Sequence, residues 1–370
     1  MNVEGIVAPG FERVAGVFAD QLSEELGAGF AAIQHGRTLV EIWGGHADRA
    51  RTRPWGRDTL VPVYSTTKGI SALIAALCVE RGVLSYEARV ADLWPAFAAH
   101  GKDRVTVAEA LSHQAGVPGF IAPIDPTLWL DPPACAEAIA ALEPLWRPAT
   151  ASGYHPLTWG YIIGEIVARA AGRSLGAILR EDVCAPTGID FHIGLPETEH
   201  ARCAEMIKPK RIADFGEITV IKRAAFLTPW AAAQRGGATW RKIEIPSANG
   251  HGTALAVAQL FAHYATGQVG GARLLSEDAH QQLIARRIEG PDLVLPFALD
   301  WRSGLLGNAQ SFYGPSRNAL GHSGAGGSCG FGDPAHGLSV GYVMNKHSHH
   351  LMGDPRALRL IDATYSCLQN

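Results

Sequence analysis

Apolar residues at Phe11, Val14, Phe18 and Leu22 share one face of a 3.6-residue period. That spacing predicts an amphipathic helix over 11–26, stopped at Gly27. Two apolar runs follow, 29–34 and 38–43, and read as strands joined by the short turn His35-Gly36-Arg37. A polar stretch, 46–58, leads to the apolar Leu60-Val61-Pro62-Val63. The run Ile70-Ser71-Ala72-Leu73-Ile74-Ala75-Ala76-Leu77 then predicts a long helix over 67–81. From 84 to about 240 the pattern is helical and loop-rich, with helices expected at 107–111, 134–143 and 157–171 between Pro/Gly-rich connectors. The segment 205–248, with Trp230, Trp240 and the Gly236-Gly237 pair, has no regular period; it is a candidate cover for a pocket. Strand character returns at 294–299, 304–306, 330–332 and 337–344, and the chain closes with an amphipathic helix over 355–368. The expected architecture is α/β: an antiparallel sheet built from both ends of the chain and flanked by the terminal helices. The expected domains are 1–84 plus 241–370, and a mainly helical insertion, 85–240, with a cleft between them.

The 370 residues are enough for one large domain or two modest ones. Their net charge of −3 comes with no basic block or stripe, so nucleic acid is not an expected partner. The N-terminal Met1-Asn2-Val3-Glu4-Gly5-Ile6 has no basic segment followed by a long apolar one, and no uncharged apolar stretch could span a bilayer. No membrane partner and a cytoplasmic location are therefore expected. The six cysteines are scattered without a Cys-x-x-Cys pair, as reduced and mostly buried thiols are. The histidines show no paired ligand spacing, and neither a metal nor another cofactor is expected. Oligomeric state is not encoded in any of these features.

The stretch Tyr64-Ser65-Thr66-Thr67-Lys68-Gly69 carries the candidate chemistry. Serine alone is a weak nucleophile and needs a base beside it. At the start of a helix, positions i and i+3 share a face, so the Lys68 amine reaches the Ser65 hydroxyl. No other serine of the chain has a lysine at this spacing. The competing reading is a capping serine followed by a solvated lysine. Lysine in a first turn, however, opposes the helix dipole. Two other stretches are candidates. In Gly153-Tyr154-His155-Pro156, Tyr154 sits at a loop–helix junction, where it either presents its hydroxyl to a cleft or packs the start of the helix. His155 is either an acid–base group or a packing residue. The small-residue run Gly321-His322-Ser323-Gly324-Ala325-Gly326-Gly327, beside an expected strand, either aims backbone N–H groups at an oxyanion or forms a flexible loop.

Ser-x-x-Lys, a tyrosine in the inserted region and a His-x-Gly strand, in that order, resemble the serine hydrolases related to class C β-lactamases and penicillin-binding proteins, and among them the family VIII carboxylesterases. Leu111-Ser112-His113-Gln114-Ala115-Gly116, Asn249-Gly250-His251-Gly252-Thr253-Ala254 and Val343-Met344-Asn345 support the likeness, which covers nearly the whole chain. The resemblance implies a β-lactamase/transpeptidase-like fold with the active site between its two parts. It implies Ser65 as nucleophile, Lys68 and Tyr154 sharing the base role, and the Ser65 and Ala325 N–H groups as oxyanion hole. It also implies His322, Ser323 and Gly324 as substrate-binding residues, with His322 in place of the family's third-motif lysine. Pro156 stands where the lactamase pattern has asparagine, and His322 is neutral for most of the time near neutral pH. Both departures weaken recognition of an anionic lactam. The expected substrates are neutral, small to medium acyl esters. The alternatives are a β-lactam or amide hydrolase, a D-amino-acid peptidase or a transacylase of the same fold, and a sensor that is acylated without turnover.

Overall fold

The computed structural model describes residues 2–231 and 237–369. Its main sheet has nine antiparallel strands, in the order Val3–Val7, Arg37–Gly45, Gly27–Gln34, Leu338–Met344, Cys329–Asp333, Leu320–Ser323, Leu306–Gly307, Ala298–Trp301 and Ile288–Pro291. The two chain ends meet at its centre, where Tyr342 lies opposite Phe30 and Val340 opposite Ala32. Side chains alternate across the pleat. Phe30 and Ala32 pack with Val14 and Phe18 of the helix Glu12–Gln21 and Leu360 and Ile361 of Pro355–Leu368. Ala31 and Ile33 join the opposite core, with the helices Thr67–Glu80 and Ala254–Thr266. The β-lactamase/transpeptidase-like α/β arrangement anticipated from the sequence is the one found.

The helix Thr67–Glu80 is buried at every position from Thr67 to Cys78, which is why its sequence is apolar all round. Ala254–Thr266 presses so closely on the sheet that a Cβ at Gly330 would lie 2.5 Å from Phe261, and one at Gly341 would lie 2.3 Å from the Ala254 carbonyl oxygen. The strands under it have no side chain to place there.

Several elements depart from the sequence pattern. The first helix ends at Gln21 rather than 26, and its strand begins at Gly27. The strand expected at 294–299 is instead a turn followed by Ala298–Trp301. There the Asp292 carboxylate takes the Val294 and Leu295 N–H groups, at 3.0 and 2.9 Å, that a ladder would need. Residues 304–306 contribute only Leu306 to a two-residue strand. The edge strand Val3–Val7, the strand Ile288–Pro291, and the helices Ala254–Thr266 and Glu277–Ile284 had no anticipated counterpart, whereas Leu320–Ser323 carries the His322 and Ser323 of the anticipated His-x-Gly strand. Within 205–248 the helices Val220–Phe226 and Ala238–Lys242 form; Gly236 of the Gly236-Gly237 pair lies outside the described residues. All six cysteines are free, five of them buried.

Candidate active site

Ser65 lies in the tight turn that opens the Thr67–Glu80 helix. Tyr64, before it, has φ +46°, a conformation that costs a bulky residue energy and persists only where its surroundings impose it. Those surroundings are specific. Val63 N–H donates to Gly250 O at 2.8 Å, and Gly250 N–H donates to Thr67 Oγ1 at 2.9 Å. Ser328 Oγ donates to Val63 O at 2.8 Å and lies 3.2 Å from Thr66 Oγ1. The turn after Leu320–Ser323 is thereby fastened against the serine turn. A Cβ at Gly324 would fall 2.1 Å from Val63 O, so only glycine allows this approach. The small-residue run is half strand, half turn, and Ala325 is exposed at its tip, lining the same cavity as Ser65. Neither the Ser65 nor the Ala325 backbone N–H donates to another of the described residues.

Ser65, Lys68 and Tyr154 come together as one triangle. Lys68 Nζ lies 3.2 Å from Ser65 Oγ and 2.9 Å from Tyr154 Oη, and Tyr154 Oη lies 2.6 Å from Ser65 Oγ. Lys68 is fully buried. Its Nζ also donates to the carbonyls of Pro156, at 2.8 Å, and Ser247, at 3.0 Å. Carbonyls only accept, so two Lys68 N–H bonds are committed to them. The remaining valence, a third proton or a lone pair, faces the two hydroxyls. Two backbone carbonyls thus orient the amine. Nothing in the sequence marks them, because any residue type supplies a carbonyl.

Tyr154 is held from three sides. Its ring stacks on Trp301 at 5.8 Å and an interplanar angle of 5°. Its N–H donates to Asp292 Oδ1 at 2.9 Å, and Trp301 Nε1 donates to Asp292 Oδ2 at 3.1 Å. His113 secures the flanking backbone: its carbonyl accepts from Gly153 N–H at 3.0 Å and its Nδ1 from His155 N–H at 3.1 Å. His155 is buried; its Nε2 accepts from Val117 N–H at 3.0 Å and its Nδ1 donates to Gly153 O at 2.6 Å. The packing reading of His155 is the one its contacts support. Asp292, Trp301 and His113 carry no motif that sequence reasoning had tied to Tyr154.

His322 is buried, with Nδ1 donating to Ser323 O at 2.8 Å, which leaves Nε2 unprotonated in the neutral ring. Burial pushes its pKa down to about 3, and that of His155 likewise to about 3; His113 is lowered well below the usual range for the same reason. All three rings are neutral at ordinary pH. Beneath the Ala325 turn, buried Arg356 donates from Nη2 to Gly326 O at 2.8 Å while paired with Asp354 at 2.8 Å and Glu25 at 2.7 Å.

The cavity above the triangle encloses about 210 Å³. Aromatic and aliphatic side chains form its walls, among them Phe215, Phe226, Leu295, Trp301, Leu351 and Met352, and no Lys, Arg, Asp or Glu side chain lines it among the described residues. Segment 205–248, the candidate cover, contributes Pro209, Ala213, Phe215, Phe226 and Ala248 to the cavity lining.

Residues 17–364 match the family described as Beta-lactamase. The chain belongs to the beta-lactamase family. This beta-lactamase-family protein is 33% identical over 366 residues to the esterase/beta-lactamase LipL of Mycobacterium tuberculosis (strain ATCC 25618 / H37Rv), covering 93% of this chain and 83% of LipL. It is similar to a penicillin-binding protein homolog from Caulobacter crescentus, with TM-score 0.96 and 46% identity over 99% of this chain and 100% of that one. It is also similar to a family VIII carboxylesterase, with TM-score 0.92 and 39% identity over 99% of this chain and 100% of the other. Esterase relatives on this fold make the protein a serine hydrolase. Among the described residues no helix is long and apolar enough to cross a membrane.

Proposed function

We propose that this serine hydrolase is a carboxylesterase that cleaves neutral, small to medium acyl esters through an acyl-enzyme on Ser65. The observation that carries the reading is the Ser65–Lys68–Tyr154 triangle at the base of a cavity that no Lys, Arg, Asp or Glu side chain lines among the described residues. Ser65 Oγ attacks the ester carbonyl and passes its proton to the Tyr154–Lys68 pair. The carbonyl oxygen takes up negative charge and is met by the Ser65 and Ala325 N–H groups. Collapse expels the alcohol, which takes the proton back from the pair and leaves the acyl group on Ser65. Water enters, loses a proton to the same pair and attacks; the acid departs and Ser65 recovers its proton. Neutral His322, with Ser323 and Gly324, would border the substrate without offering the cation that a carboxylate-bearing lactam needs. The working division is 1–84 with 241–370 against 85–240, with the site between them.

The test is a p-nitrophenyl ester acyl-length series run beside nitrocefin, with intact mass after rapid mixing. Turnover of short and medium esters, weak nitrocefin cleavage and an acyl adduct lost in Ser65→Ala are expected. Retained turnover in folded Ser65→Ala, or a stable adduct without turnover, would overturn the reading.

A further inference from the structure

Eight large apolar side chains are strongly exposed among the described residues, and four of them, Ile212, Ile218, Val220 and Leu227, lie within one rim segment. Ile212 is 85% exposed and Val220 62%. Scattered exposed apolar residues need no explanation, but a contiguous group does. All four lie on one loop and one helix that pack together. The helix Val220–Phe226 places Val220, Arg223 and Leu227 at i, i+3 and i+7, on its outer stripe. Ala224 and Ala225 are buried, and Phe226 lines the cavity. The loop carrying Ile212 and Ile218 folds back against this helix: Phe215 packs on Phe226 at 4.5 Å, and Lys222 Nζ donates to Phe215 O at 2.6 Å. One strip of chain is therefore apolar on both sides, toward the acyl cavity within and toward solvent without.

The same strip carries a local excess of cations; they are interspersed with other residues and so form no basic block in the sequence. From Lys208 to Leu227 it carries Lys208, Lys210, Arg211, Lys222 and Arg223 against Asp214 and Glu217, in a chain whose net charge is −3. Exposed aliphatic side chains among lysines and arginines are the composition of a surface that rests on anionic lipid, the cations meeting headgroups and the apolar tips entering the acyl boundary. A second copy of the chain fits less well. A two-fold interface would set this cationic strip against itself.

We infer that the 208–227 strip is a docking surface for anionic phospholipid bilayers, seating the cavity mouth at the level where acyl esters partition. The proposal departs from the expectation of no membrane partner. Among the described residues no helix is long and apolar enough to cross a membrane, whereas lying on one depends on which side chains the fold leaves outside. The inference does not rest on the ester reading, since binding is measured without turnover.

The experiment is co-sedimentation of the whole protein with phosphatidylglycerol or phosphatidylcholine vesicles, at low and high salt. Binding to phosphatidylglycerol alone, weakening with salt, is expected. Lys210→Ala/Arg211→Ala should lower the partition coefficient about thirtyfold, at roughly fivefold per cation. Ile212→Ser/Val220→Ser should lower it by at least about tenfold. Neither pair lines the cavity, so thermal unfolding and hydrolysis of soluble p-nitrophenyl butyrate without vesicles should match wild type. Wild-type protein left in the supernatant with phosphatidylglycerol at low salt overturns the proposal, as does equal binding by either variant. A dimer in sedimentation velocity that Ile212→Ser/Val220→Ser converts to monomer assigns the strip to self-association instead and also overturns it.

Discussion

Replacing Asp292 by Asn changes one atom and tests how Tyr154 is held. The carboxylate accepts four N–H groups: Tyr154 and Leu295 N at 2.9 Å, Val294 N at 3.0 Å and Trp301 Nε1 at 3.1 Å. Asparagine keeps the shape, and its carbonyl oxygen serves the three backbone donors. Its amide nitrogen then faces the Trp301 indole N–H, donor against donor; flipping the amide would set the conflict against three donors instead of one. Neutralising three charge-assisted bonds costs about 1 kcal/mol each, and leaving a buried indole N–H unpaired costs about 1–3 kcal/mol. Relief of carboxylate burial offsets part of this. A net loss of about 2–4 kcal/mol in urea unfolding is expected. A shift of Tyr154 on the order of 1 Å should also lower kcat for p-nitrophenyl butyrate by about a hundredfold. Trp301→Phe removes the opposing donor, so the double variant Asp292→Asn/Trp301→Phe should recover part of the stability, a coupling that a double-mutant cycle reads directly. Asp292→Asn within about 0.5 kcal/mol and twofold in kcat of wild type, or a cycle without coupling, would refute the reasoning.

Tyr154→Phe removes the hydroxyl 2.6 Å from Ser65 Oγ and should cut kcat by about a hundredfold or more with little change in KM; near-wild-type turnover would place the proton path elsewhere. Lys68→Arg should be nearly inactive, because arginine does not deprotonate and cannot reproduce a single nitrogen bonded to both the Pro156 and Ser247 carbonyls; steady-state kinetics decide this. His322 and His155 are held neutral by burial, with pKa lowered to about 3, so His322→Gln should change rate or KM but leave the acid limb of the pH–rate profile in place; a displaced limb would implicate His322 in proton transfer. His155, His251, His263 and His322 are each depressed to about 3 by burial, so below pH ~6.5 the unfolded chain binds protons that the native state refuses. These histidines therefore favour the native state above that pH and disfavour it as the pH drops, and together they outweigh the buried Glu25, raised to about 7, which acts in the opposite sense; a flat Tm from pH ~7.5 to ~5.5 would contradict this.

Local chemistry was legible in the sequence wherever one short stretch carried it. Ser-x-x-Lys at the head of an apolar run put the Lys68 amine beside the Ser65 hydroxyl, because the i, i+3 relation is a property of the backbone turn itself. The terminal helix over 355–368, the short helix at 107–111 and the helix at 157–171 were legible for the same reason: the pattern that makes each helical lies within its own segment. Ala254–Thr266 was not, since a helix buried on the sheet and by its neighbours has no polar face to reveal a period. The 294–299 strand failed because one buried carboxylate, Asp292, captures its N–H groups, and that carboxylate is buried only once Tyr154 and Trp301 arrive from elsewhere. Tertiary structure alone chose the two carbonyls that aim Lys68, the burial that lowers the His322 pKa and the exposure of Ile212 and Val220. Each of these depends on desolvation or on a partner distant along the chain. Sequence fixes which groups are available, but burial and partnership, which decide what those groups do, exist only in the folded protein.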